Sequence, residues 1–113
     1  MNSNIRGMSV QIVKFVDNRF PGWLECEFVD AEGYNHRLID KVPLFTTALL
    51  DATSGYPQSG IARCEILGRS RDDKNRELVT ITTARPDTVE STEGLSEFVV
   101  LSTQLQPDPW PAS

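Results

Sequence analysis

From Trp23 to Val29 the apolar residues Leu24, Cys26 and Phe28 alternate with the charged Glu25 and Glu27. Successive side chains of an extended chain point to opposite faces, so this pattern buries one face of a strand and wets the other. The rhythm returns where Ala62, Cys64 and Ile66 alternate with Arg63 and Glu65, and where Val79 and Ile81 alternate with Thr80 and Thr82. Residues 98–101, Phe-Val-Val-Leu, are apolar on both faces, which predicts a strand that is central or covered at one end. Val10 to Asp17 breaks the alternation, because Val10 and Ile12 share one face while Val13 and Phe15 share the other. One extra residue near Ile12-Val13, a β-bulge, would bring both pairs to the same side. A third strand, Tyr34 to Val42, carries Tyr34, His36 and Leu38 on one face. Branched Val, Ile and Thr far outnumber Ala, and such side chains favour a pleated surface over a helix.

The joints between these segments use turn chemistry. Arg19-Phe20-Pro21-Gly22, Ala31-Glu32-Gly33 and Asp72-Asp73-Lys74-Asn75 are short enough to be hairpins, so the strands they join run antiparallel. Two connections are longer, 43–60 and 86–95. The first holds at most a short helical turn, placed at Phe45–Leu50. An all-β fold of six antiparallel strands follows, and a small closed or half-closed barrel accounts for it best because closure removes exposed edges. A two-sheet sandwich is the runner-up. The domain spans residues 8–105, with 1–7 as a flexible N-terminal extension and the Pro-rich 106–113 as an extended tail. Trp110 in that tail is expected to lie across an outer apolar patch of Leu67, Leu78 and Val99. Ser54-Gly55-Tyr56-Pro57-Gln58 resembles a stretch in the third β-barrel domain of elongation factor Tu. That resemblance implies only a six-stranded barrel.

At 113 residues the chain is long enough to bury a core without a metal or disulfide staple. Its formal charge of −5 argues against nucleic acid and against an anionic membrane as partners, both of which select basic surfaces. A neutral or basic protein is the partner such a charge suits. Two cysteines, no apolar leader and no apolar run near the length of a membrane span predict a cytoplasmic protein with reduced, buried thiols. A monomer or weak homodimer is expected.

Candidate chemistry is sparse. His36 is the single histidine, so a Cys–His dyad would need Cys26 or Cys64, yet both lie on the apolar side of their strands. No paired Cys or His spacing suits zinc, no acidic loop has the calcium order, and no glycine-rich phosphate loop occurs; no metal or cofactor is expected. Glu25 and Glu27 share a strand face at about 7 Å, a separation that carbohydrate-cleaving carboxylates use, but a solvated face explains them as well. The aromatics Phe20, Trp23, Phe45, Tyr56 and Trp110 lie outside the alternating core and near loops, where interface contacts concentrate. The competing role is a plug, with Phe45, Leu49 and Leu50 folded over a barrel end. The leading expectation is a non-catalytic protein-binding module, with the profile of an immunity- or inhibitor-type protein. A small-ligand or carbohydrate-binding barrel that uses Trp23 or Tyr56 comes second, and a small hydrolase last.

Overall fold

The computed structural model describes residues 4–109. Its strands are β1 (Ile5–Asp17), β2 (Trp23–Val29), β3 (Asn35–Lys41), β4 (Gln58–Arg71), β5 (Glu77–Thr82), β6 (Glu97–Leu101) and the short β7 (Leu105–Pro107). All pairings are antiparallel, and the sheet runs in the order β3-β2-β1-β4-β5-β6. Twist curls these six strands into a half-barrel. The alternation is realised as read: Leu24, Cys26, Phe28, Ala62, Cys64, Ile66, Val79, Ile81, Phe98 and Val100 all face the core. So is the bulge in β1, where Ile12 pairs with Cys26 but Lys14 already pairs with Glu25. That shift lets Met8, Val10 and Ile12 point inward before it and Phe15 pack on the core after it.

Four expectations are corrected. Residues 5–7 belong to β1, where Ile5, Arg6 and Gly7 pair with Glu65, Cys64 and Arg63 of β4. The sheet does not end at residue 105, because β7 pairs Leu105, Gln106 and Pro107 with Met8, Gly7 and Arg6. Trp110, expected over Leu67, Leu78 and Val99, falls outside the described residues. The strand at 97–101 ends the ladder, its outward Val99 exposed at the sheet edge. Finally, the helical turn comes earlier than Phe45–Leu50. It is a 3-10 turn at Val42–Leu44, with Pro43 as its second residue, where the fixed φ is helical and the missing N–H would have had no partner in the turn.

The open side of the half-barrel is crossed by loops. Leu38 of β3 forms an antiparallel bridge with Ser91, and the Thr92 amide donates to the Arg37 carbonyl at 2.9 Å. At the other edge the Ala31 amide donates to Val99 O of β6, also at 2.9 Å. Gly60 lets the long connection approach: a Cβ there would meet Ile12 Cγ1 at 2.7 Å and the Phe45 carbonyl at 3.2 Å. No helix among the described residues is long and apolar enough to cross a membrane.

Candidate functional site

The 43–57 connection is pinned to one end of the half-barrel by a few contacts. Phe45 is 1% exposed and sits in the core, its carbonyl accepting from the Ile61 amide at 2.9 Å. Tyr56 packs on the core, and its hydroxyl donates to the Asp51 carbonyl at 2.7 Å, closing the loop 51–56 on itself. The turn at 18–22 is tied to the same region, because the Val42 amide donates to the Gly22 carbonyl at 2.9 Å. Gly22 takes φ +93°, which permits that corner.

With the segment held at both ends, residues 46–50 wall a cleft of about 600 Å³, Leu50 packing on the core while Leu49 does not. Phe20 and Pro21 of the 18–22 turn line it together with Val42, Pro43, Leu44, Leu49 and Leu50 of the long connection. Phe20 is 97% exposed and Leu49 is 99% exposed, so the rim carries two large apolar side chains in water. A second hollow of about 440 Å³ adjoins the first across Phe20, Pro21 and Leu50. Apolar surface of this kind, concave and contiguous, is what binding sites are made of.

One part of the lining is charged. Arg63 on β4 and Asp87 in the β5–β6 connection both face the cleft. Arg63 is already engaged: its Nε and Nη2 donate to both oxygens of Asp108 at 2.9 Å. Among the described residues Asp87 has one ion pair, a long one, 3.8 Å from Arg63 Nη1. Burial pushes the Asp87 carboxyl above its ordinary value; Arg63 pulls it down, but the nearby negative charges of Asp108 and Asp40 push it further up. The next residue, Thr88, has φ +58°, a left-handed conformation that is unfavourable for a branched side chain.

The five aromatics read from the sequence therefore separate. Phe20 reaches the cleft. Phe45 and Tyr56 hold the loop beneath it, and Phe45 offers no surface for contact. Trp23 lies on the outer face of β2 with the Lys41 ammonium 4.9 Å above its ring, away from the cleft lining. Trp110 is beyond the described residues. Leu49, expected in a plug, is the most exposed large apolar side chain of the rim. Arg63, Asp87 and Asp108 went unseen in the sequence, since Arg63 looks like any outward residue of an alternating strand and the two acids look like loop solvation.

The catalytic candidates sit elsewhere. Burial pushes the Cys26 thiol up to about 12, with Glu25 adding to it, and burial does the same to Cys64, so neither is a thiolate near neutral pH. His36 Nε2 lies 2.7 Å from Asp30 Oδ2, and its ring packs against Phe28 and Phe98. Asp30 also accepts from the Glu32 and Tyr34 amides, so this pair braces the β2–β3 turn. Glu25 and Glu27 are bridged by Arg37, at 3.7 and 3.3 Å, with Lys14 3.9 Å from Glu25. Among the described residues no three His, Cys, Asp or Glu side chains gather in a way that could hold a metal ion.

The site thus belongs to a small all-β protein with an apolar cleft at one end of a curled sheet. The chain matches no protein-family model, no curated protein and no solved structure.

Proposed function

We propose that this protein is a non-catalytic binding module that captures a segment of a neutral or basic partner protein in the cleft between residues 18–22 and 43–50. The exposure of Phe20 and Leu49 in the lining of one apolar cleft carries this reading. Leaving two such side chains in water has a cost that docking would recover: burying each is worth roughly 1.5–3 kcal/mol. Anchors of this sort, clustered around a pocket, dominate protein interfaces. The net charge of −5 would steer a basic partner toward the protein and repel an acidic one. An immunity- or inhibitor-type role fits the size and charge by analogy alone.

A small organic ligand is the second reading, favoured by a volume of about 600 Å³ that falls within the range of small-molecule pockets. It would rest on Phe20 and the 43–50 wall and not on Trp23 or Tyr56, which do not line the cleft. Selection of phage-displayed random peptides on the immobilised protein separates the two. Peptides should be enriched on the wild type and lost on the Phe20→Ser, Leu49→Ser double variant, with an unchanged melting temperature. Failure to enrich any peptide, or equal capture by the double variant, would overturn the proposal.

A further inference from the structure

The cleft combines an apolar lining with an imbalance of charge, and that imbalance says what should enter it. Of the two ionised groups that line it, Arg63 is engaged by Asp108, which lies outside the lining, through two parallel hydrogen bonds. A planar guanidinium used this way has little capacity left for a second carboxylate. Asp87 is the odd group: a half-buried carboxylate that accepts no hydrogen bond among the described residues, with only the long contact to Arg63. The charges around it are Arg63 from β4, Asp108 following β7, and Asp40 from β3, whose own neighbour is Lys41 at 3.8 Å. One free cation or N–H donor placed beside Asp87 would balance this wall. A carboxylate placed there would add to an existing excess of negative charge.

The local backbone supports the same reading. Thr88 holds a left-handed φ of +58° directly after Asp87, a conformation that costs a branched residue on the order of 1 kcal/mol. Thr88 and the residue after it are held: the Thr88 amide donates to Ala84 O at 3.0 Å and the Val89 amide to Thr83 O at 2.9 Å. Thr83 Oγ1 donates to the Val89 carbonyl at 2.7 Å, a buried bond that locks the far side of the loop. Asp87 is therefore held at the cleft wall by a braced loop instead of swinging out to water.

We infer that Asp87 makes the cleft selective for a partner segment in which a Lys or Arg is flanked by apolar residues, the cation meeting Asp87 while the apolar neighbours seat on Phe20, Leu49 and Leu50. This rests on the cleft being a docking site and adds to it the chemistry of the occupant. Apolar burial supplies the affinity, and Asp87 supplies the choice, since a charged group in a partly dry wall discriminates strongly against a neutral or like-charged visitor. Because burial and like charges already disfavour the Asp87 carboxylate in the fold, Asp87→Asn should fold at least as well as the wild type at neutral pH.

The test uses fluorescein-labelled nonapeptides with a Leu-Leu-Lys-Leu-Leu centre in a Gly/Ser frame, and matched peptides with Gln or Glu in place of the Lys. Fluorescence anisotropy should show the Lys peptide binding roughly tenfold tighter than the Gln peptide, and the Glu peptide weakest. In Asp87→Asn, and in Asp87→Ser as a second variant, the ratio of Lys-peptide to Gln-peptide affinity should fall to about one. Equal binding of Lys and Gln peptides by the wild type would overturn this inference and leave the cleft as an uncharged docking site. So would a Lys preference that survives both substitutions. Binding of no peptide at all would sink the docking reading together with the inference.

Discussion

Asp30 shows how one carboxylate can decide the acid limit of a small fold. Burial pushes its carboxyl up, but the His36 ring and the Tyr34 and Glu32 amides together pull it below the ordinary 3.8. A lowered value in the fold means stability that is present above the unfolded value and lost as pH falls through the folded one. Asp30→Asn should therefore cost about 1–2 kcal/mol at pH 7, the worth of a charge-assisted hydrogen bond, and little near pH 2. Thermal melts from pH 2.5 to 7 check this: the wild type should lose stability on acidification more steeply than the variant. Parallel curves would mean that Asp17, Asp51 and Asp72, also lowered but on the surface, set the acid limit instead. Asp87 works with the opposite sign, being raised, so its carboxylate opposes folding as pH rises through its folded value. The contrast between these two acids was not legible in the sequence. Asp30 follows Val29 and precedes a hairpin glycine, so it could be read as a turn residue, but its contact with His36 needed the register of β2 against β3. Nothing near Asp87 in the chain announces Arg63 or Asp108.

The long connection splits into an inner and an outer part, and the division is made by single side chains. Phe45 and Leu49 are both apolar residues in a segment without periodicity, so sequence pattern cannot tell which turns in. The strands were legible because alternation against one buried face leaves no choice of side. A loop has no such rule, and its inward residue is fixed by where the ends are anchored: Pro43 sets the 3-10 turn, the Ile61 amide catches the Phe45 carbonyl, and Gly60 makes room. Phe45→Ala should consequently destabilise the protein by about 3–5 kcal/mol through the cavity it leaves. Leu49→Ala should stay within about 0.5 kcal/mol, as expected of a surface site. Denaturant unfolding of the two variants measures both values. A mild effect for Phe45→Ala would show that Tyr56 and Leu50 suffice to hold the connection. The same anchoring explains why the cleft exists. The connection is pinned at Phe45, rests on the core again through Leu50 and is closed by the Tyr56–Asp51 bond, and between these anchors Leu49 remains outside.

Over the whole molecule, the half-barrel is held closed by contacts unequal to those of its ladders. β1 is flanked by β4 along Ile5–Ile12 on one side and by β7 and then β2 on the other, so it is the most extensively paired strand of its half of the sheet. The two ends of the sheet, β3 and β6, do not pair with each other. Their gap is spanned by the Leu38–Ser91 bridge, the Thr92–Arg37 bond and the Ala31–Val99 bond. Loop-borne bonds at a seam can open without disturbing the core, because few buried apolar contacts break with them. Native-state hydrogen exchange should therefore find two classes of amide. Those of β1 and β4 that face each other should exchange only by global unfolding, with the full denaturant dependence. The Thr92 and Ala31 amides should exchange through smaller openings that respond weakly to denaturant, although their bonds are as short as those of a ladder. The cleft lies at the barrel end whose wall includes Asp87, in the same β5–β6 connection that forms the seam through Ser91 and Thr92. Local opening at the seam would then reach the binding wall while the sheet stays folded, which would let the cleft adapt to an entering segment. If Thr92 and Ala31 instead shared the exchange free energy and denaturant dependence of β1 and β4, the barrel would open only as one unit and the cleft would bind as a rigid surface.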